Sequence, residues 1–339
     1  MKVEEFDYYL PEELIAQTPL EKRSTSRLLV CDRKTGDLED RHFYDILDYL
    51  NKDDVLILNN TKVLPSRIYG RKVDTNARIE VLLLKEEEAG WEVLVKPARR
   101  VRPGTILDFE GLFQGEILEK YEEGLCLIRF HYQGVFLNLL DKLGEMPLPP
   151  YIHQKLKDQD RYQTVYAKDL GSAAAPTAGL HFDQTLLSKI KEKGIEVIYI
   201  TLHIGLGTFR SVAVEKIEEH KMHSEHYYIS QESASALNRA KAAGKRFVAV
   251  GTTTTRTLEA VYQKYGTFKE VNEDTDIFIY PGYKFKVVDA LITNFHLPKS
   301  TLVMLVSAFY STEGIKKAYL HAVNDKYRFF SFGDAMFIK

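Results

Sequence analysis

Three histidines, His181, His203 and His296, each stand close to glycine, threonine or asparagine in segments of mostly small or apolar residues. Imidazole titrates near neutral pH, so each is a candidate general acid or base. His181 ends the run Gly171-Ser-Ala-Ala-Ala-Pro-Thr-Ala-Gly-Leu-His181 and is followed by Phe182. The run carries almost no bulk, and Gly171 and Gly179 permit backbone angles that other residues avoid, so a ligand or a second backbone can come close. Ser172, Pro176 and Thr177 belong to the same candidate binding loop. His203 opens His203-Ile-Gly-Leu-Gly-Thr-Phe-Arg210, and His296 stands in Asn294-Phe-His-Leu-Pro-Lys-Ser300. Gly251-Thr-Thr-Thr-Thr-Arg256 sets hydroxyls and backbone N–H groups at a helix start, where the dipole favours an anion. Arg210 and Arg256 could clamp a phosphate or carboxylate bidentately. Gly205 and Gly207 form too short a pattern for a dinucleotide fingerprint. Phe182, Phe209 and Phe295 could stack on a purine. His220, His223 and His226 lie three apart, but Tyr227-Tyr-Ile-Ser230 reads as extended. Alternate strand residues point to opposite faces, which spoils a shared metal site. Glu225 could instead orient or pair with one of these histidines.

The elements that position these residues alternate between strand and helix patterns. Asp183 can cap a helix whose Leu186, Leu187 and Ile190 share one face, with Gly194 at its end. Strands are expected at Ile195–Leu202, Arg246–Val250, Asp276–Tyr280 and Ala290–Thr293, with helices from Ser230 to near Gly244 and through Leu258 to Tyr265. Asp54–Leu58 and a helix over Phe43–Leu50 join the same body. The pattern implies an α/β fold with a mixed, mostly parallel sheet and flanking helices. Open sheets of this kind bind ligands beyond the carboxyl ends of their strands, where His203, Gly251 and Asn294 follow. Between these parts, Arg78–Leu84, Trp91–Lys96 and Leu125–His131 are short runs of β-formers separated by turns. They imply a small barrel or sandwich inserted at about 66–150, so that 1–65 and 151–339 form one discontinuous domain.

The 339 residues suggest about two domains. With 46 basic and 48 acidic residues, bulk charge does not announce a nucleic-acid binder, and such a partner would need a local basic patch. Lys96-Pro-Ala-Arg-Arg-Val-Arg102 supplies one, with Lys96, Arg99, Arg100 and Arg102 as phosphate contacts and Arg67 and Arg71 adding local basicity. Cys31 and Cys126 match no disulfide or zinc pattern and suit a reducing cytoplasm. The N-terminus lacks a signal-peptide pattern, and the apolar stretch 302–309 is too short to span a bilayer.

Longer strings carry a more specific signal. They include Ser26-Arg-Leu-Leu, Leu58-Asn-Asn-Thr-Lys-Val-Leu-Pro-Ser-Arg67, Thr164-Val-Tyr-Ala, the small-residue loop, His203-Ile-Gly-Leu-Gly-Thr-Phe and Met222-His-Ser-Glu225. Asp289-Ala-Leu-Ile-Thr-Asn-Phe-His-Leu-Pro-Lys-Ser-Thr301 and Tyr327-Arg-Phe-Phe-Ser-Phe-Gly-Asp-Ala-Met336 follow in order. Across essentially the whole chain these resemble the S-adenosylmethionine:tRNA ribosyltransferase-isomerases of queuosine biosynthesis (the QueA family). Gly251-Thr-Thr-Thr-Thr-Arg256 departs from the family pattern at Thr254 and Thr255, whereas Thr252, Thr253 and Arg256 fit.

The resemblance implies an α/β domain with an inserted β-barrel. It implies transfer and isomerisation of the ribosyl part of S-adenosylmethionine onto 7-aminomethyl-7-deazaguanine at the tRNA wobble position, giving epoxyqueuosine with release of adenine and methionine. S-adenosylmethionine is then a consumed ribosyl donor, with no recycled cofactor and no metal expected. The sulfonium acidifies the adjacent ribose carbon, and His181, His203 or His296 is the expected base, with Glu225 and Asp289 behind them. Gly171, Ser172, Pro176, Thr177, Gly179, Phe182, Gly205, Gly207, Phe209, Thr252, Thr253, Arg256, Asn294 and Phe295 are expected to hold the cosubstrate. Arg67, Lys96, Arg99, Arg100, Arg102, Arg210 and Lys299 are expected at the tRNA. The partners implied are tRNA and S-adenosylmethionine, without a membrane, for a cytoplasmic monomer. A non-catalytic tRNA-binding protein and a methyltransferase are the competing classes. The first leaves the strand-end residues unexplained, and the second lacks its Gly-rich loop after a first strand.

Overall fold

The computed structural model describes residues 1–205 and 212–339. The chain divides into two units. One contains Met1–Lys62, Pro149–Asp169 and Ala175–Lys339, and the other Val63–Leu148 and Leu170–Ala174. The first part of the small-residue loop therefore groups with the second unit and its remainder with the first.

The first unit is built on a nine-stranded sheet. Its order is Val271–Thr275, Glu225–Ile229, Glu196–Leu202, Asp54–Asn59, Arg246–Val250, Ala290–Asn294, Ala335–Ile338, Arg27–Cys31 and Leu38–His42. The four strands from Glu196–Leu202 to Ala290–Asn294 are mutually parallel. Antiparallel pairings flank them on both sides, and Arg27–Cys31 runs parallel to Ala335–Ile338 before the antiparallel edge strand. Every residue of Asp54–Asn59 and Ala290–Asn294 is buried, the mark of strands covered on both faces. The helix Gln184–Glu192 packs Leu186, Leu187 and Ile190 against Leu56, Leu58, Val248 and Ile292. Asp183 caps it by accepting from the Leu186 N–H at 2.7 Å. Ser230 caps Gln231–Ala242 in the same way, and Gly266 ends Thr252–Tyr265 in the left-handed conformation.

One expected strand is misplaced. Asp276–Tyr280 is irregular, and the edge strand is Val271–Thr275, paired with Glu225–Ile229. Its sequence, Val-Asn-Glu-Asp-Thr, is too polar to signal a strand. It forms because Val271 and Thr275 turn inward while the intervening residues meet solvent or the neighbouring strand. The strands Arg27–Cys31, Leu38–His42 and Ala335–Ile338 extend the sheet beyond the sequence expectation.

The second unit is a closed six-stranded barrel in the order Leu125–His131, Gly90–Lys96, Arg78–Glu87, Arg67–Lys72, Ile106–Phe109 and Phe113–Lys120. Alternate residues Ile79, Val81 and Leu83, with Val93, Val95, Cys126 and Ile128, fill its interior. The helix Phe136–Leu143 adds Phe136 and Leu140 to that core. Closure removes the free sheet edges that short strands would otherwise expose.

Candidate active site

The four parallel strands of the first unit direct their carboxyl ends to one edge of the sheet, and side chains just beyond those ends bond to one another. Asn59 closes its strand and ties together two neighbours. Its Oδ1 accepts from the Leu202 N–H at 3.0 Å, and its Nδ2 donates to the Leu202 carbonyl at 3.0 Å and to Thr253 Oγ1 at 3.3 Å. Thr253 lies in the first turn of Thr252–Tyr265, whose N-cap is Gly251 at φ +89°. That angle favours glycine, and a Cβ there would come within 3.7 Å of Ala178 in the small-residue loop. Thr254 and Thr255 donate their hydroxyls to the Val250 and Gly251 carbonyls, so they are occupied within the helix. Gly179 is needed for room, since a Cβ at that position would lie 2.1 Å from the Tyr166 hydroxyl oxygen.

The three histidines differ in what they can do. His181 is buried and stacks on Phe43 with ring centroids 4.9 Å apart. Asn294 Nδ2 donates to the Phe330 carbonyl at 3.0 Å, which identifies that atom as nitrogen and makes His181 Nε2 its acceptor at 3.2 Å. The ring proton therefore sits on Nδ1 and bonds Ser26 Oγ at 2.7 Å. Burial, followed by the charges of Arg23 and Arg328, lowers the His181 pKa to about 3. His296 is also buried, bonds Thr293 Oγ1 through Nε2 at 2.8 Å, and is lowered to about 3 by burial. His203 is half-buried. Its Nδ1 bonds Thr61 Oγ1 at 2.7 Å, its backbone N–H donates to the His226 carbonyl, and no partner is found for its Nε2 among the described residues. Burial and then the neighbouring His226 lower its pKa, against an opposing pull from Asp169. Among the three, His203 combines partial exposure with an unengaged ring nitrogen.

Behind His203 lies a buried ion pair. Arg256 Nη1 contacts Glu225 Oε2, with both side chains under 5% exposed. Glu225 Oε1 accepts from the Gly205 N–H at 3.1 Å, and Arg256 Nε donates to the Ile277 carbonyl at 3.2 Å. Arg256 Nη2 and Asn294 Oδ1 are buried without a hydrogen-bond partner among the described residues. Unpaired buried polar atoms are rare and costly, so both mark places where a ligand group can be received.

The model of the queuosine biosynthesis protein family matches residues 3–338. The chain belongs to this family. Among solved structures it is similar to the S-adenosylmethionine tRNA ribosyltransferase from Thermotoga maritima, with 40% identity over 99% of this chain and 100% of that one and a TM-score of 0.58.

Several residues singled out within the family motifs stand elsewhere than the strand-end cluster. Phe182 and Phe295 are fully buried. Phe182 packs edge-on to Phe43, and Phe295 packs among Tyr319, Tyr327 and Phe329. Such rings present no face to a purine; they are core. Asp289 precedes its strand, at the opposite edge of the sheet, where its carboxylate accepts from the Phe247 N–H at 2.8 Å. That place removes it from the histidines and gives it a backbone-fixing role. Lys299 pairs with Glu4 and Asp7 at 2.9 and 3.0 Å, which neutralises the charge expected to meet tRNA. Arg67 pairs with Glu80 at 3.4 Å and donates to the Leu148 carbonyl, a contact within the barrel unit. Gly171 and Ser172 belong to that unit too, and Ser172 Oγ donates to the Ala174 carbonyl. Pro176 is buried and Thr177 half-buried at the start of the turn that delivers His181. Gly207, Phe209 and Arg210 lie outside the described residues.

Lys96, Arg99, Arg100 and Arg102 are all exposed, and none has a carboxylate partner among the described residues. His226 bonds Asp274 and Asn272 through its two ring nitrogens, each at 2.7 Å, and so is committed within its own sheet edge. The sequence reading missed Asn59, Ser26 and Arg23. The first two lie inside the strings Leu58–Arg67 and Ser26-Arg-Leu-Leu, and those strings were the signal that could have found them.

Proposed function

We propose that this member of the queuosine biosynthesis family transfers and isomerises the ribosyl moiety of S-adenosylmethionine onto 7-aminomethyl-7-deazaguanine at the tRNA wobble position, releasing adenine and methionine. The observation that carries the site assignment is the convergence of His203, Asn59, Thr253 and the Glu225–Arg256 pair beyond adjacent parallel strands. His203 acts as the base toward the ribose carbon beside the sulfonium. Its Nε2 is available, and its lowered pKa keeps the ring neutral at pH 7. Thr61 holds the ring by Nδ1. His181, with both ring nitrogens bonded, positions Asn294 and leaves the Asn294 Oδ1 free to accept from a substrate N–H or hydroxyl. The exposed cations at 96–102 supply a patch for the tRNA backbone, a contact that fixes register without reading sequence. The wobble base must leave its stack to react, as single-stranded loops allow. Bringing amine and cosubstrate together in one pocket accounts for much of the acceleration such a reaction needs.

The deciding assay incubates the protein with S-adenosylmethionine and precursor-modified tRNA and identifies the small molecules released. Adenine and methionine together are expected. S-adenosylhomocysteine would instead establish a methyltransferase, and tRNA binding without either product a non-catalytic binder.

A further inference from the structure

A small, half-open cavity of about 30 Å³ in the first unit is walled by Arg23, Ser26, Arg161, His181, Ser331 and Phe332, among others. We propose that it binds the carboxylate of the amino-acid portion of S-adenosylmethionine, with Arg23 as its principal partner and Arg161 supporting the charge. The choice of that carboxylate rests on the reaction proposed above, whereas the anionic character of the ligand group rests on the cavity alone.

The guanidinium groups here are held by backbone oxygens and form no ion pair among the described residues. Arg23 Nη1 donates to the Leu180 carbonyl at 3.3 Å and Nη2 to the Asp160 carbonyl at 3.1 Å. Arg161 Nη1 and Nη2 donate to the Glu21 and Leu20 carbonyls at 3.2 and 2.5 Å. These acceptors are neutral backbone oxygens. They fix the planes of the two groups and leave further N–H groups on each. No carboxylate forms an ion pair with Arg23, Arg161 or Arg328 among the described residues. Several carboxylates close by bond other groups. Asp183 accepts from Ser24 Oγ and the Leu186 N–H, Asp158 from the Asp160 N–H, and Asp334 from the Arg27 and Arg328 N–H groups. Arg328 Nη1 is buried without a hydrogen-bond partner among the described residues. Burial, and then the charge of Arg161, depresses the Arg23 pKa, against an opposing pull from Asp158, Tyr166 and Asp183. Fixed, half-buried arginines that form no ion pair keep N–H groups for an arriving anion, and a guanidinium fork matches a carboxylate.

A cavity this small, sharing the His181 wall, suits the end group of a small molecule. A tRNA phosphate is better served by exposed cations such as those at 99–102. S-adenosylmethionine carries positive charge at sulfur and at its amino group, so its carboxylate is the part that two arginines can attract.

The test measures equilibrium binding of S-adenosylmethionine and of decarboxylated S-adenosylmethionine to the full chain. Saturating tRNA lacking the aminomethyl base is present, so that no turnover occurs. The wild type is expected to prefer the carboxylated form by about ten- to a hundredfold, the range for a charge-assisted hydrogen-bonded contact. Arg23→Gln should abolish that preference while leaving the decarboxylated compound's affinity unchanged, and Arg23→Lys should restore part of it. Equal binding of the two compounds by the wild type overturns the proposal, even if the variants fail to fold. So does an Arg23→Gln variant that weakens both compounds alike. A variant that leaves the preference intact but raises the KM for precursor tRNA and flattens its salt dependence also overturns it, and assigns the cavity to a phosphate. Adenine release by the wild type is followed separately. A wild type that shows the preference but releases no adenine refutes the proposed reaction and leaves the carboxylate site standing.

Discussion

Lowering the pH from 7 to 5 should destabilise the first unit through two histidines. His181 and His296 are buried, and each has a folded-state pKa of about 3 against an ordinary value of 6.5. In the unfolded chain both become protonated as the pH falls through 6.5; in the folded chain both stay neutral until about 3. The stability they permit is fully present above 6.5 and is lost progressively between 6.5 and 3. Each pH unit below 6.5 costs about 1.4 kcal/mol per histidine, so at pH 5 the pair costs about 4 kcal/mol. That is a large part of the stability of an ordinary domain, about 5–15 kcal/mol. Ordinary carboxylates add little in this window because their pKa values, about 4, lie below it. Urea unfolding at pH 7 and pH 5, followed by the helical circular dichroism that comes mostly from the first unit, measures the loss. Trp91 fluorescence follows the barrel strand Gly90–Lys96 separately. Replacing both histidines with asparagine lowers stability at pH 7 but should flatten the pH dependence, so the slope is the readout. A wild-type difference under about 1 kcal/mol between the two pH values, or an undiminished slope in the double variant, refutes the reasoning.

Four further outcomes are expected. His203→Gln should reduce kcat by about 10²–10⁴-fold, the usual contribution of a general base; because burial and His226 hold its pKa below 6.5, the acid limb of the wild-type profile should lie below that value and vanish in the variant. Glu225→Ala should cost about 3–5 kcal/mol in urea unfolding by stranding Arg256, and Glu225→Ala combined with Arg256→Met should recover much of it. Replacing Arg99, Arg100 and Arg102 with alanine should raise the KM for tRNA, leave that for S-adenosylmethionine unchanged, and reduce the salt slope of tRNA binding by about two to three. Gly179→Ala should cost about 1–3 kcal/mol by overpacking against Tyr166, read as a lowered Tm.

Much of the frame is legible in the sequence because it depends on local signals. Asp183 before Leu186, Leu187 and Ile190 announces a capped helix, and the structure caps it there. Gly251 and the four threonines after it announce a strand-to-helix turn beyond Val250. The edge strand Val271–Thr275 was hidden because its partner, Glu225–Ile229, supplies the order that its own polar residues do not. Within the site, residue type alone failed in two ways. Phe182 and Phe295 are aromatic next to functional residues, but aromatic area is as useful to a core as to a purine, and only tertiary packing decides between them. Three histidines looked equivalent as bases because an imidazole's capacity depends on which of its nitrogens is already bonded, and those bonds come from Ser26, Asn294, Thr61 and Thr293. Arg23 shows the same limit from the other side. Its composition marks it as one cation among 46 basic residues. What sets it apart is that Leu180 and Asp160, both over 130 positions away, offer it neutral carbonyls, while no carboxylate forms an ion pair with it among the described residues. The anion site proposed at Arg23 depends on that missing ion pair, which is a property of the folded neighbourhood and has no counterpart in the local string.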